Sequence, residues 1–475
     1  MPIQDNELQP DVIQGGMGIA VSTWQLAKMV SLNGGLGVVS ATAIDSVIAR
    51  RLQDGDLTGD IRRAFANFPN QDIAKEILNF YFIDGGRDPK KPYLDVPKLS
   101  LKQSKLTVNL LAISAFTEVW LAKENNSGVV GINALEKIQL ATPATIFGAM
   151  LANVDYVLMG AGIPTQIPEM IRQLRQLAPF KLNIDVAGTN TPYFLTFDPM
   201  SVVSNPINVK KPKFLAIISS HALAAYLGKD EKTKPDGFIV EGFTAGGHNA
   251  PPRSKDAITE DGQSKFTELD IADLVKVAKT GIPFWLAGGY GTPDNLRRAK
   301  ELGAVGIQVG SLFALADESG FTDEIKSELF SRLTEGNLSV RTDPFASPTG
   351  FPFKIVEITG TLSDDENFDE RSRNCDLGYL RTPFERPQGG IGYRCPGEPI
   401  KTFIFKGGSP QQNSRSKCLC NALMADIGLG QIRVDGSTEL PLVTLGSDLA
   451  GANDLSKIYP NGWNAIQVLE YLRGA

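Results

Sequence analysis

Histidine is the side chain whose charge changes nearest neutral pH, and this chain has two. His248 closes the run Glu241-Gly-Phe-Thr-Ala-Gly-Gly-His248 and precedes Asn249-Ala-Pro-Pro252, a stiff loop that limits its motion. An imidazole held in that way can give or take a proton at a reacting centre, which makes His248 the candidate catalytic acid or base. The competing reading is a histidine satisfied by backbone hydrogen bonds. His221, after Ser219-Ser220 at a predicted helix start, reads as a surface or capping residue.

Glycine supplies the second pattern. Gln14-Gly-Gly-Met-Gly18, Gly242 to Gly247, Gly288-Gly-Tyr-Gly291 and Gly310-Ser311 each follow a short apolar run. A glycine lets the backbone come within hydrogen-bonding distance of a ligand. Thr292-Pro293-Asp294 predicts a helix start, with Thr292 as N-cap and Pro293 at the first helical position. A phosphate beside Gly289 and Gly310-Ser311 would meet the positive end of that helix. The bland alternative is that these glycines only make tight turns. A dinucleotide fold is disfavoured, because neither Gly34-Gly-Leu-Gly37 nor Gly288 to Gly291 carries the strand, G-x-G-x-x-G, helix and acidic residue together.

Other chemistries find little support. No G-x-S-x-G elbow is present, and two histidines do not by themselves make a usual metal centre. All four cysteines, Cys375, Cys395, Cys418 and Cys420, lie in the last quarter. Their C-x-C and long gaps differ from the close pairs of structural zinc sites, so reduced structural thiols are expected and no metal ligand is assigned. Redox chemistry in the first three quarters would need a cofactor.

These residues need elements to hold them. Short apolar runs alternate with helix-like segments, the pattern of a parallel α/β protein. The expected barrel strands are Asp11–Met17, Leu36–Ala41, Val129–Ala134, Tyr156–Gly160, Phe214–Ser219, Gly237–Glu241, Phe284–Ala287 and Gly306–Val309. Lys181–Val186 and Tyr193–Phe197, joined through Gly188-Thr-Asn190, predict a hairpin inserted at about 182–208. A charged helical stretch is expected from Asp45 to about Phe82, then a loop to Lys98. Further on come a helix at Glu324–Glu335 and a loop at Thr342–Phe353. Eight βα units predict a (β/α)₈ TIM barrel, with its site at the carboxyl ends of the strands. The expected organisation is a barrel over 1–360 and a Cys-containing extension over 361–475 that packs on it.

Composition agrees with one barrel plus an appendage. The chain has 475 residues, 42% hydrophobic and 21% charged, with 47 Gly and 29 Pro. A net charge of -6 without a basic stripe argues against nucleic acid as a partner. Met1 to Gln9 is polar and lacks the features of a signal peptide, and no uncharged apolar run predicts a membrane span. A cytoplasmic location follows as the expectation; the oligomeric state is left open.

Taken in order, Ile13-Gln-Gly-Gly-Met-Gly18, Asn33-Gly-Gly-Leu-Gly37, Val130-Gly-Ile-Asn133, Glu241-Gly-Phe-Thr-Ala-Gly-Gly-His248, Leu286-Ala-Gly-Gly289 and Gly306-Ile-Gln-Val-Gly310 resemble the motifs of the nitronate monooxygenase family, formerly the 2-nitropropane dioxygenases. They are also similar to flavin-dependent enoyl reductases of fatty acid and polyketide synthesis. The resemblance implies an FMN cofactor bordered by Gln14, Gly15, Gly16 and Met17, and touched by Asn133. It further implies that Gly246 and Gly247 line the cofactor site, that Gly288, Gly289, Gly310 and Ser311 hold the phosphate, and that His248 is the active-site histidine. Relatives commonly read Glu-Ala-Gly-Gly-His, where this chain has Thr244 in place of the glutamate. The tail, with Cys375-Asp-Leu-Gly-Tyr379 and Cys418-Leu-Cys-Asn421, resembles that of a longer subgroup.

Two activities are implied: oxidation of a nitronate or nitroalkane by FMN and O₂ to a carbonyl compound and nitrite, or NAD(P)H-dependent reduction of an enoyl thioester. The implied partners are a small nitro compound or an acyl thioester. A flavin-binding protein without turnover is the remaining reading, and it leaves His248 without a purpose.

Overall fold

A computed structural model of the chain describes residues 9–433 and 435–474. Most of the N-terminal stretch Met1 to Gln9 therefore lies outside the described residues. Eight parallel strands form one sheet: β1 (Val12–Gln14), β2 (Gly37–Ser40), β3 (Val130–Leu135), β4 (Tyr156–Gly160), β5 (Lys213–Ile218), β6 (Gly237–Glu241), β7 (Phe284–Ala287) and β8 (Gly306–Val309). They neighbour one another in chain order, and β8 pairs with β1 in the register Ile13 to Gln308. A parallel bridge between Ile13 and Leu36 joins β1 to the start of β2 and closes the ring. The chain is a (β/α)₈ TIM barrel.

Strand residues alternate between inside and outside, and this decides what reaches the site. Ile13, Leu36, Val38, Tyr156, Leu158, Leu215, Ile239 and Trp285 form a separate buried cluster that fills the lower interior. Trp285 is 1% exposed and donates its indole N–H to Pro10 O at 2.7 Å, sealing the amino-terminal end. Two residues further along the inward parity lie Ser40 on β2, Gly160 on β4, Ile217 on β5, Glu241 on β6 and Ala287 on β7. The same row continues with Asn133 on β3 and Gln308 on β8.

The other parity packs the strands against helices. Thr23 caps the helix Trp24–Leu32, accepting the Leu26 N–H, and Ser220 caps His221–Gly228 in the same way. The charged stretch after Asp45 resolves into three helices, Ile44–Gln53, Asp60–Phe65 and Gln71–Tyr81. A helix absent from the sequence-based expectation, Lys105–Lys123, packs beside them. By length and composition it is long and apolar enough to cross a membrane, but it is not an uncharged run, since it carries Glu118, and 78% of its 18-residue apolar window is buried within this fold. Its apolar residues face all round, which removes the helical periodicity that would have revealed it. The expected insertion forms an antiparallel hairpin, Phe180–Ile184 with Tyr193–Phe197.

The segment expected as a loop at Thr342–Phe353 is instead anchored at both ends by an antiparallel pair, Val340–Asp343 with Phe353–Val356. Beyond it, the last part of the chain winds over the carboxyl ends of the strands. Its final helix, Ala465–Arg473, lies in the outer layer against Trp24–Leu32 and Pro293–Glu301. Arg473 there donates to Asn33 O and Gly34 O and pairs with Asp11 at 3.0 Å. Trp463 is fully buried and donates to Leu312 O at 2.8 Å.

Candidate active site

The carboxyl ends of the strands open into two adjoining chambers of about 1050 Å³ and 930 Å³. Gly15, Glu241, Ala287 and Gln308 floor the first, over β1, β6, β7 and β8. Ser40, Asn133, Gly160 and Ile217 floor the second, over β2 to β5. Gly16, Gly18, Glu241, Gly246, Gly247, Leu423 and Thr444 border both, so the chambers share a wall.

The first chamber gathers most of the glycine residues singled out from the sequence. Gly15, Gly16, Met17, Gly246, Gly247, Gly288, Gly289, Gly310 and Ser311 all line it. Gly288 and Gly289 both have φ +77°, a conformation that side chains disfavour. A Cβ on Gly288 would lie 2.6 Å from Gly242 O, and one on Gly16 would lie 2.2 Å from Asn133 Cβ. The turn is held by Asn295, which donates to Gly289 O at 2.8 Å from the helix Pro293–Glu301, whose N-cap is Thr292. Glycine turns here stand beside a helix N-terminus, whose free N–H groups favour anions, with Asp448 also bordering the chamber.

Asn133 borders the second chamber, donates to Gly16 O at 3.2 Å, and leaves its Oδ1 buried without a partner. Gln308 Oε1 is orphaned in the same way on the floor of the first chamber. Buried acceptors with no protein partner are costly unless a ligand satisfies them. Two such atoms on glycine-lined walls fit a group with hydrogen-bond donors along its edge and a phosphate at one end.

Gln14 does not belong to this set. The resemblance implied a cofactor contact, but Gln14 lines neither chamber and is fully buried. Its amide donates to Ser22 Oγ at 2.8 Å and to Gly15 O at 2.5 Å, and its Oε1 accepts the Val38 N–H at 2.9 Å. The reason is parity: Ile13 and Gly15 face the interior, so Gln14 between them faces the helical layer, where it ties β1 to β2.

His248 lines the second chamber. Its Nε2 lies 2.7 Å from Ser347 Oγ, and Ser347 in turn lies 2.8 Å from Thr349 Oγ1. The ring meets Phe353 edge-on, with centroids 4.9 Å apart. Asn249 fixes the backbone on the far side, donating its N–H to Pro352 O and its side chain to Ala245 O. Burial disfavours the imidazolium and holds the His248 pKa near about 4, so the ring is neutral at physiological pH. A neutral imidazole has a ring nitrogen free to accept a proton, and the low pKa makes it a weak base at neutral pH. His221 starts its helix, where its Nδ1 accepts the Asp273 N–H at 3.3 Å, well apart from these residues.

Several residues of the site were not assigned from sequence. Glu241 borders both chambers, and burial lifts its carboxyl to about 8. Its inward direction was readable from the parity of β6, two residues beyond Ile239. The tail residues carried no such signal. Gly247 donates its N–H to Thr444 Oγ1 at 2.9 Å, Ser447 N–H to Thr244 O at 2.9 Å, and Gly446 N–H to Ser311 Oγ at 2.8 Å. Tyr379 borders the second chamber and donates to Asp45 Oδ1 at 2.5 Å, tying tail to barrel. The four cysteines are free thiols; Cys420 lines the second chamber. Among the described residues, no group of three or more His, Cys, Asp or Glu is arranged to hold a metal ion.

Residues 161–342 match the family model for nitronate monooxygenase. A (3aS,4S,5R,7aS)-5-hydroxy-7a-methyl-1-oxo-octahydro-1H-indene-4-carboxyl-CoA dehydrogenase of Rhodococcus jostii (strain RHA1) is 25% identical over 244 residues, 48% of this chain and 63% of that protein. The protein of the same name from Mycobacterium tuberculosis (strain ATCC 25618 / H37Rv) is 28% identical over 141 residues, 30% of this chain and 35% of that protein. The chain thus spans less than two thirds of either relative. FabK from Thermotoga maritima has a TM-score of 0.48 at 16% identity, covering 98% of this chain and 92% of that one. Nitroalkane oxidase from Streptomyces ansochromogenes has a TM-score of 0.49 at 15% identity, covering 98% and 95%. Over residues 161–342, which run from the end of β4 past β8, this chain is similar to the nitronate monooxygenase family.

Proposed function

We propose that the protein is an FMN-dependent oxidoreductase of the nitronate monooxygenase type, oxidising alkyl nitronates or nitroalkanes with O₂ to carbonyl compounds and nitrite. The observation that carries this reading is the juxtaposition of His248 with a glycine-lined chamber across a shared wall. Bound flavin would supply the electron acceptor. Gly288, Gly289, Gly310 and Ser311 would hold its phosphate. Gly15, Gly16, Met17, Gly246 and Gly247 would border the rest, and Asn133 would meet its edge from the neighbouring chamber. His248, neutral and steadied by Ser347, would remove the acidic proton of a nitroalkane or orient the nitronate. A small-molecule substrate is proposed, with no nucleic acid or membrane partner and a cytoplasmic location.

A second reading is favoured by two observations. The second chamber is walled by Ile19, Leu135, Ile138, Ile217, Leu380 and Leu419, more apolar surface than a small nitro compound needs. Both curated relatives are named as dehydrogenases of a carboxyl-CoA. Under this reading the protein is an NAD(P)H-dependent enoyl-thioester reductase on the same flavin, and the apolar chamber receives the acyl chain. Anaerobic mixing separates the two. Bleaching of flavin absorbance by a nitronate but not by NADH or NADPH is expected for the first; bleaching by NADPH alone would sink it and establish the second.

A further inference from the structure

Asp426 caps the carboxyl end of the tail helix Leu419–Ala425, far in sequence from every glycine motif. Its side chain is fully buried, and the residue borders the first chamber. Oδ1 accepts the Leu442 N–H at 3.0 Å, whereas Oδ2 is buried with no partner. Among the described residues no cation balances it: burial raises its pKa to about 8, opposed by the Leu442 N–H. The other titratable groups bordering the chamber are Glu241, Tyr290 and Asp448, none of which would stabilise a second negative charge. A carboxylate left in that position would be both desolvated and repelled, so the group is held as the neutral acid, which carries one O–H donor.

We infer that Asp426 is a cofactor-positioning residue supplied by the tail, its Oδ2–H donating to an acceptor atom of the FMN in the first chamber. The inference rests on the flavin reading above. It explains why a fully buried acid stands where an apolar side chain would cost less. It also assigns the tail a part in holding the cofactor that the barrel motifs alone do not provide.

The test is FMN affinity of the full chain, measured by flavin fluorescence for wild type, Asp426→Asn and Asp426→Leu, with thermal melts of the apo forms to report folding. The Leu442 N–H requires an oxygen at the Oδ1 position, so asparagine must present its N–H₂ where Oδ2 stood. Asp426→Asn is therefore expected to bind FMN within about threefold of wild type, and Asp426→Leu about tenfold or more weakly. Wild-type affinity should fall between pH 7 and 9 as the acid ionises, and more steeply than that of Asp426→Asn, in which Glu241 alone of the two still ionises near 8. Equal binding by wild type and Asp426→Leu would overturn the inference while leaving the flavin reading intact. Should Asp426→Leu fail to fold, the same pH dependence in wild type and Asp426→Asn would overturn it. A wild-type protein that binds no FMN at all would refute the flavin reading itself, and this inference with it.

Discussion

His248 should stay neutral well into the acidic range. Its pKa is held at about 4 against an ordinary 6.5, because desolvation in the wall of the second chamber disfavours the charged ring. That displacement corresponds to about 3 kcal/mol of preference for the neutral ring. Linkage sets the sign: the unfolded chain binds a proton at His248 below pH 6.5 and the folded chain does not, so the contribution to stability falls as pH drops towards 4. Between pH 7 and pH 5 the loss attributable to this one residue is about 2 kcal/mol. Glu241 and Asp426 act in the opposite sense, since their raised carboxyls favour the folded state on acidification. The effect of His248 must therefore be read as a difference between wild type and His248→Asn, in which those groups are common. The chain has two histidines, so ¹³C-labelling histidine gives two ring signals, and His248→Asn identifies one of them directly. The expected result is a His248 midpoint near 4 and a urea-unfolding difference between wild type and variant that changes by about 2 kcal/mol from pH 7 to pH 5. A midpoint near 6.5, or a difference independent of pH, would refute the argument and with it the neutral-base role.

Replacing Glu241 with glutamine should weaken a pH dependence. Ionisation of Glu241 near pH 8 places a negative charge on the wall of both chambers and opposes delivery of electrons to a flavin there, so stopped-flow flavin reduction should slow above that pH in wild type and slow less in Glu241→Gln, where Asp426 still ionises near 8. Gly288→Ala should lose bound FMN: the left-handed backbone costs about 1–2 kcal/mol and the new methyl meets Gly242 O at 2.6 Å, so flavin content after gel filtration should drop severalfold. Gln14→Ala should behave differently, because it strands the buried Val38 N–H; unfolding free energy should fall by about 1–3 kcal/mol while FMN affinity of the folded protein is unchanged. An FMN affinity lowered as much as in Gly288→Ala would restore Gln14 to the cofactor site.

Local sequence was sufficient for the barrel strands, because each is a short apolar run ended by glycine or a small residue, and parallel βα units permit few arrangements. It was also sufficient for Thr292 as a helix cap and for the hairpin at Phe180–Ile184 and Tyr193–Phe197, both of which rest on contacts a few residues apart. Lys105–Lys123 escaped because a helix buried on every side has no apolar stripe to reveal it. Strand parity could have separated Gln14, which faces the helices, from Glu241, which faces the chambers. Tertiary structure alone decided the rest. Ser347 reaches His248 across 99 residues, Thr444 reaches Gly247 across 197, and Arg473 returns the end of the chain to Asp11. Such contacts depend on how the chain after β8 runs over the barrel, and no local pattern encodes that path. The sequence alone determined the scaffold and its glycine turns; the path of the chain after β8 decided which acids, hydroxyls and apolar walls complete the site.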